Sequence, residues 1–437
     1  MKANIRVDQW DLITILYDQR AFDREHAMDL ECLSRTMSLK EEKLRLRVKC
    51  LVDNKIANLN VLRIRSRVIH TVHLTPQGRR LAEERSAESA ASGSARSFDY
   101  LDFDLRLALT TVGMEVEVLT SPSGNARGVT SLPTYSADDL ISMRDNLAKM
   151  GDIVGAALLP GDVRLLFEKS MAQVEKHRDQ GLRIRLRSND AGVISVPWEI
   201  ARVDGEYLSL RVRTPLVRYP IVDEAASALA VDGPLRILGI ISNPIDLAEL
   251  DADRERAVLE RALRPLAEAG KVELTWLHHS QTQLLQCRLR QDYHIIHFVG
   301  HGYYDESRQE SSLAFVNEDG ASMLMSSKWL ATLLRDSTIR FVFLNSCASA
   351  RSVGGITEEL VRRGVSAAVG FQWNVLNKTA IAFAGGFYAA LSDGWPVDAA
   401  SVEGRKAIVS VLGNDLNNSE WAQPILYLRS PNGLLFR

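Results

Sequence analysis

The stretch IRFVFLNSCASARSVGGITEELVRRGVSAAVGF, residues 339–371, decides the fold. IRFVFLNS and VSAAVGF are short and continuously apolar, as strands buried on both faces are, and ITEELVRRG between them carries its apolar residues at helical spacing. A strand, a helix and a second strand in sequence indicate a parallel pair joined by a crossover helix. Cys347 follows the first strand directly. In open parallel sheets, sites form beyond the carboxyl ends of strands, yet free cysteine is also among the most often buried residue types. The rest of the chain has to decide between a nucleophile and a core filler.

The same alternation extends outward. LRILGII reads as a strand, RERAVLERALRPLAEAG as a helix, KVELTWL as a strand, TQLLQCRLR as a helix, YHIIHFVG as a strand and SSKWLATLLRDS as a helix. This predicts an α/β fold with a mainly parallel sheet covered by helices on both faces. YHIIHFVGHGYYD puts His301 just past one strand end, between Gly300 and Gly302, so that His301 and Cys347 are expected to open onto one crevice. A thiol with an ordinary pKa of about 8.5 needs a base to become the reactive thiolate, and histidine can take that proton and return it to a leaving amine. Glycine after the histidine allows close backbone approach, so the Gly302 and Cys347 amides are the candidate oxyanion donors.

HFVGHG, FLNSCAS and AAVGFQWNVLNKTAIAFAGGFYAAL together resemble the CHAT family of caspase-like cysteine peptidases, of the broad clan that includes caspases, metacaspases, gingipains and separase. LRIRLRSNDAGVISVPWEIARVDGEYLSLRVRTPLVRYP resembles the first half of that domain and EWAQPILYL its last strand, so the resemblance covers about residues 98–430. It implies a dyad in which Cys347 attacks the scissile carbonyl and His301 acts as acid and base. It further implies a non-catalytic first half, 98–230, a catalytic half, 231–437, a protein substrate often encoded beside the protease, and no cofactor. Arginine-specific members often carry Asp two residues before the nucleophile. This chain carries Asn345 there, which weakens an expectation of strict basic specificity. Gln372, Trp373 and Asn374 follow a strand where the family builds substrate subsites, and with Asn345 they are the candidate pocket residues.

SAESAASGSARS, residues 86–97, has no apolar period and reads as a flexible linker. It isolates residues 1–85. Trp10, Ile13, Leu16 and Tyr17 suggest one helix, Met28, Leu30, Cys32 and Leu33 a second, and Leu44, Val48 and Leu51 the face of a third, with Ser38 and Glu41 as its capping box. IANLNVLRI and RVIHTVHL read as a hairpin, and Thr75–Pro76 opens a last helix. This order resembles a winged helix-turn-helix, as does LTPQGRRLAEE. Arg45, Arg47, Lys49, Lys55, Arg63, Arg65 and Arg67, with Asp53 as the lone acid among them, are the expected contacts to DNA or to a regulatory protein. A merely solvated face is the bland alternative.

The 437 residues carry a net charge of -2 and are 46% hydrophobic, which excludes disorder of the whole chain and bulk attraction to nucleic acid. The start MKANIRVDQW lacks a signal-peptide core, no run is long enough to span a membrane, and the four cysteines form no CxxC pair, so a cytoplasmic protein is expected. Cys32, Cys50 and Cys287 have no motif around them. His297 with His301, and adjacent His278 and His279, complete no zinc set, and no GxxxxGK[ST] loop occurs. Two functions stand. One is a cysteine endopeptidase governed by a winged-helix input domain, with roles in prokaryotic antiviral defence or cell-death signalling implied by the resemblance. The other is a DNA-binding regulator whose CHAT-like part binds a partner without cleavage. The oligomeric state is not legible.

Overall fold

A computed structural model of the protein describes residues 12–13, 16, 21, 27–36, 41–64, 67–82, 98–133, 147–222, 226–277, 282–305, 307–308, 310–346, 350–372 and 377–437. The chain forms two compact units, residues 1–94 and 95–437. Among the described residues, no helix is long and apolar enough to cross a membrane.

In the first unit, β1 (Met28–Asp29), α1 (Leu30–Thr36), α2 (Glu41–Asp53), β2 (Ala57–Ile64) and β3 (Arg67–Leu74) precede a helical segment at 76–82. The sheet order is β1-β3-β2, all antiparallel. Met28 therefore belongs to a strand rather than to the second helix, because its backbone pairs with Val72. Leu44, Val48 and Leu51 are buried with Leu12, Ile13 and Leu16, as the helical spacing predicts. Thr75 caps the last helix, its hydroxyl accepting from the Gly78 amide at 3.1 Å. The expected linker, 86–97, lies outside the described residues, as do Trp10, Tyr17, Ser38 and Arg65.

The second unit is built on one sheet of eleven strands. The strands of its first part are β4 (Asp99–Thr110), β5 (Gly113–Thr120), β6 (Arg127–Thr130), β7 (Gln180–Arg187) and β10 (Leu216–Arg218). The later ones are β11 (Leu235–Ile241), β12 (Val272–Trp276), β13 (Ile295–Gly300), β17 (Phe341–Ser346), β18 (Ala367–Phe371) and β19 (Pro424–Leu428). The order is β12-β11-β13-β17-β18-β19-β10-β7-β4-β5-β6, parallel except at β18–β19, β4–β5 and β5–β6. VPWEI, whose apolar residues suggest a strand, is instead a 3-10 turn at Trp198–Ile200, and EYLSLRVRTPLVRY, which suggests a further strand, is broken by another at Leu208–Leu210. A small ribbon, β8 (Arg202–Val203) with β9 (Glu206–Tyr207), lies between these turns.

Strand period explains the two cores. Ile295, Phe341 and Phe343 enter one cluster, whereas their neighbours Ile296, Val342 and Leu344 enter another across the sheet. The first core is covered by α3 (Leu147–Leu158), α4 (Asp162–Val174), α5 (Ala252–Glu268), α9 (Asn377–Ser392) and α10 (Val397–Val411). The second is covered by α6 (Thr282–Arg288), α7 (Ser327–Leu334) and α8 (Ala350–Arg363). Each fully buried Phe contributes about 1.5–3 kcal/mol to this packing.

Buried charge stitches the two parts of the sheet together. Arg183 on β7 pairs with Asp398 on α10, both fully buried, and its guanidinium also donates to the Pro431 and Asn432 carbonyls at 2.8 Å. Arg218 on β10 pairs with Glu199 at 2.8 Å. Removing one partner of such a pair strands a charge in the interior. Asp398→Ala is therefore expected to lower the unfolding free energy by about 3–5 kcal/mol in urea titrations. A loss below about 1 kcal/mol would mean that Asp102, 3.3 Å from the Arg183 guanidinium, compensates its charge alone.

Candidate active site

The site is organised by two neighbouring strands. β13 and β17 run parallel and fully buried, in a register that pairs Ile295 with Phe341, Val299 with Asn345 and, last, Gly300 with Ser346. The residues next in the chain are His301 and Cys347. Cys347 lies outside the described residues, as do Trp373 and Asn374. A side chain at 300 has no room: a Cβ there meets the Phe298 ring at 2.6 Å and the Ser242 Cβ at 3.2 Å.

His301 is half-buried and held from both its backbone and its ring. Its carbonyl accepts from the Ala314 amide at 2.9 Å. Its Nε2 lies 2.8 Å from the Ala248 carbonyl. A carbonyl only accepts, so Nε2 carries the proton and Nδ1 is the basic nitrogen of the neutral ring. The Ala248 carbonyl is fixed in turn by Asn243, whose amide clamps the loop after β11 by donating to the Leu250 carbonyl and accepting from the Leu250 amide, both at 2.9 Å. Asp246 ties the same loop to Ser322, accepting from its amide and its hydroxyl at 2.7 Å each, and these bonds hold the exposed carboxyl below its ordinary range.

SNPIDLAELD gave no hint of this role beyond its turn-forming Asn-Pro. The sequence reading also missed a three-stranded antiparallel sheet, β14 (Gly302–Asp305), β15 (Glu310–Val316) and β16 (Ser322–Ser326). In an antiparallel ladder, bonded and non-bonded pairs alternate. The bond from Ala314 to His301 makes the next pair, Gly302 with Leu313, a non-bonded one. The Gly302 amide therefore points away from β15, and β14 is an edge strand, so the ladder leaves this N–H unused.

Of the candidate pocket residues, Asn345 is buried and borders a narrow pocket, with room for about one water, beside His297 and Val299. Gln372 is elsewhere engaged: its buried amide donates to Glu199 at 2.9 Å and to the Ala422 carbonyl at 3.1 Å, so it belongs to the network between the two parts of the sheet. Arg45 and Lys49 are exposed on α2 and Arg47 is half-buried, while Arg63 and Arg67 sit on β2 and β3. Cys287 is exposed and Cys50 half-buried. Among the described residues, no group of three or more His, Cys, Asp or Glu is arranged to hold a metal.

His297 is a wall of the site, as the strand reading expects. It is fully buried, stacks on Phe343 with ring centroids 4.5 Å apart, and shares a 3.0 Å hydrogen bond with the Tyr388 hydroxyl. Burial pushes its pKa from 6.5 down to about 3.

Residues 162–427 match the CHAT domain. Among solved structures, the Arg-specific cysteine proteinase gingipain R aligns over 69% of this chain and 77% of its own, at 10% identity and a TM-score of 0.43. The complex of the pro- and mature domains of RgpB from Porphyromonas gingivalis gives 69% and 78%, at 10% identity and 0.43. The Saccharomyces cerevisiae separase–securin complex aligns over 68% of this chain and 20% of that one, at 14% identity and 0.34. No curated protein matches.

The state of His297 gives a pH dependence. The unfolded histidine takes up a proton below about pH 6.5, whereas the folded one resists it down to about 3, so its stabilising contribution is complete above pH 6.5 and is lost as pH falls towards 3. Between pH 7 and pH 5 the loss is about 2 kcal/mol. Urea titrations at the two pH values should show this difference in the wild type and a smaller one in His297→Gln. An identical acid slope in the variant would contradict a neutral buried ring.

Proposed function

The chain belongs to the CHAT-domain family, and from that premise we propose that it is a cysteine endopeptidase in which Cys347 is the nucleophile and His301 its base and acid. The observation that supports this reading is the β13–β17 register, which ends at Gly300 opposite Ser346, the residues immediately before 301 and 347 in the sequence. In the proposed reaction, the Cys347 thiol gives its proton to His301 Nδ1 and the sulfur bonds to the scissile carbonyl carbon. The negative oxygen is met by the unused Gly302 amide and the Cys347 amide. The C–N bond then breaks, His301 returns the proton to the departing amine, and water hydrolyses the thioester. The Ala248 carbonyl supports this by fixing the ring's tautomer and sharing the positive charge that forms.

The same reading assigns residues 1–85 as a winged helix that acts as the input domain, supported by the helices, the three-stranded sheet and the exposed Arg45 and Lys49. Its partner is DNA or a regulatory protein, contacted by Arg45, Arg47, Lys49, Arg63, Arg65 and Arg67. A cytoplasmic role in prokaryotic defence or cell-death signalling, with a protein substrate, completes the proposal.

The test is cleavage of a proteome-derived peptide library by the full chain, with and without added duplex DNA. Cys347→Ala should lower cleavage by more than about a thousandfold. Cleavage that persists in Cys347→Ala, or wild-type protein that cuts nothing under either condition, contradicts the assignment. Charge removal at Arg45, Lys49 and Arg63 should weaken DNA binding and flatten its salt dependence if DNA is the partner.

A further inference from the structure

The sheet of the first unit ends on an open edge. Among the described residues β2 pairs only with β3, in the order β1-β3-β2, so its outer side carries unpaired backbone. The register says which groups those are. The Thr75 amide donates to the Ile56 carbonyl at 2.9 Å, and in an antiparallel ladder bonded and non-bonded pairs alternate. The next pair, Ala57 with Leu74, is therefore non-bonded, and the Leu74 amide accordingly turns away to the Ala21 carbonyl at 2.7 Å. Counting on, Ala57, Leu59, Val61 and Arg63 point their N–H and C=O groups outward.

Three of these residues also carry the apolar face of the strand. Ala57, Leu59 and Val61 lie opposite Leu74, Val72 and His70, and Ala57, Val72 and Leu74 are buried in the core of the unit. At the edge that core runs out: Leu59 is 41% exposed and Val61 56%. Edge strands are usually blunted by Lys, Pro or a bulge, because an open ladder beside apolar side chains invites another strand. From Ala57 to Leu62 the sequence ANLNVL has none of these.

We infer that β2 pairs antiparallel with β2 of a second copy of this chain, about a two-fold axis at Asn60. Outward groups must meet outward groups, so only every second register is open. Centred on Asn60, four bonded pairs form: 57 with 63, 59 with 61, and their symmetry mates. Centred on Leu59 or on Val61, the bounds of β2 allow three. The Asn60 register also sets each Leu59 against the partner's Val61, which closes the apolar face over the axis, and sets Arg63, the lone charge of β2, against the partner's Ala57. The surface is self-complementary, as a two-fold interface must be. One strand per copy is small beside the roughly 1,200–2,000 Å² of a stable interface, so the dimer is reversible. This pairing involves the first unit and is independent of the peptidase assignment.

Two measurements on the full chain test it. In sedimentation velocity the wild type should move from monomer to dimer as its concentration rises, and the double variant Leu59→Lys, Val61→Lys should raise the dimer Kd at least about tenfold. Both side chains already meet solvent, so thermal unfolding of the variant should match the wild type. Under mild oxidation Asn60→Cys should form a disulfide with its symmetry mate, located by peptide mass spectrometry, because directly opposed residues hold their Cβ atoms about 4.5–5.5 Å apart. Asn58→Cys should not, since the two copies of residue 58 stand four positions, about 13 Å, apart. The two asparagines flank the His73 ring at 3.2 and 3.0 Å, so each replacement loses an equivalent contact and the pair controls for the fold. A wild type that stays monomeric, a dimer unchanged by the two lysines, no cross-link at Asn60→Cys, or an equal one at Asn58→Cys overturns the proposal.

Discussion

The parallel pairing of β13 with β17 is the constraint on which the account depends. Six consecutive residues of each strand are buried, and alternate side chains serve two different cores, so a slip of one residue would drive His297 and Phe343 into the wrong core. A register fixed this firmly also fixes what emerges at its carboxyl end. Gly300 and Ser346 leave together, and chemistry needing two side chains from distant parts of the sequence gains a rigid common origin.

Rigidity at the strand ends is extended to His301 by elements that touch no substrate. Asn243 holds its loop by paired bonds, that loop presents the Ala248 carbonyl, and β15 holds the His301 backbone. On the other side of the sheet, Glu199 joins Arg218 and Gln372, and Arg183 joins Asp398 to the carbonyls of the carboxyl-terminal segment. The part of the chain without catalytic candidates thereby becomes the foundation of the part that has them.

Much of the later sheet was legible because its strands are short, apolar on both faces and separated by amphipathic helices. LRILGII, KVELTWL and IRFVFLNS read correctly for that reason. The family motifs around His301 and Cys347 were equally plain. Failures came where local pattern is overruled by tertiary contact. VPWEI looks like a strand, yet Trp198 turns inward to donate to the Val193 carbonyl and Glu199 must reach Arg218. Met28 reads as helical until its pairing with Val72 is seen. Gln372 follows a strand as a pocket residue would, and its amide also bonds the buried Glu199, a contact no local pattern announces.

The central claim is that His301 activates Cys347, and the rate at which iodoacetamide alkylates Cys347 across pH tests it most directly. Peptide mass spectrometry can follow that one thiol in the wild type and in His301→Ala. The account predicts fast labelling at neutral pH in the wild type, and in the variant a slower rate whose midpoint moves up towards the ordinary thiol value of about 8.5. Superimposable profiles would contradict it.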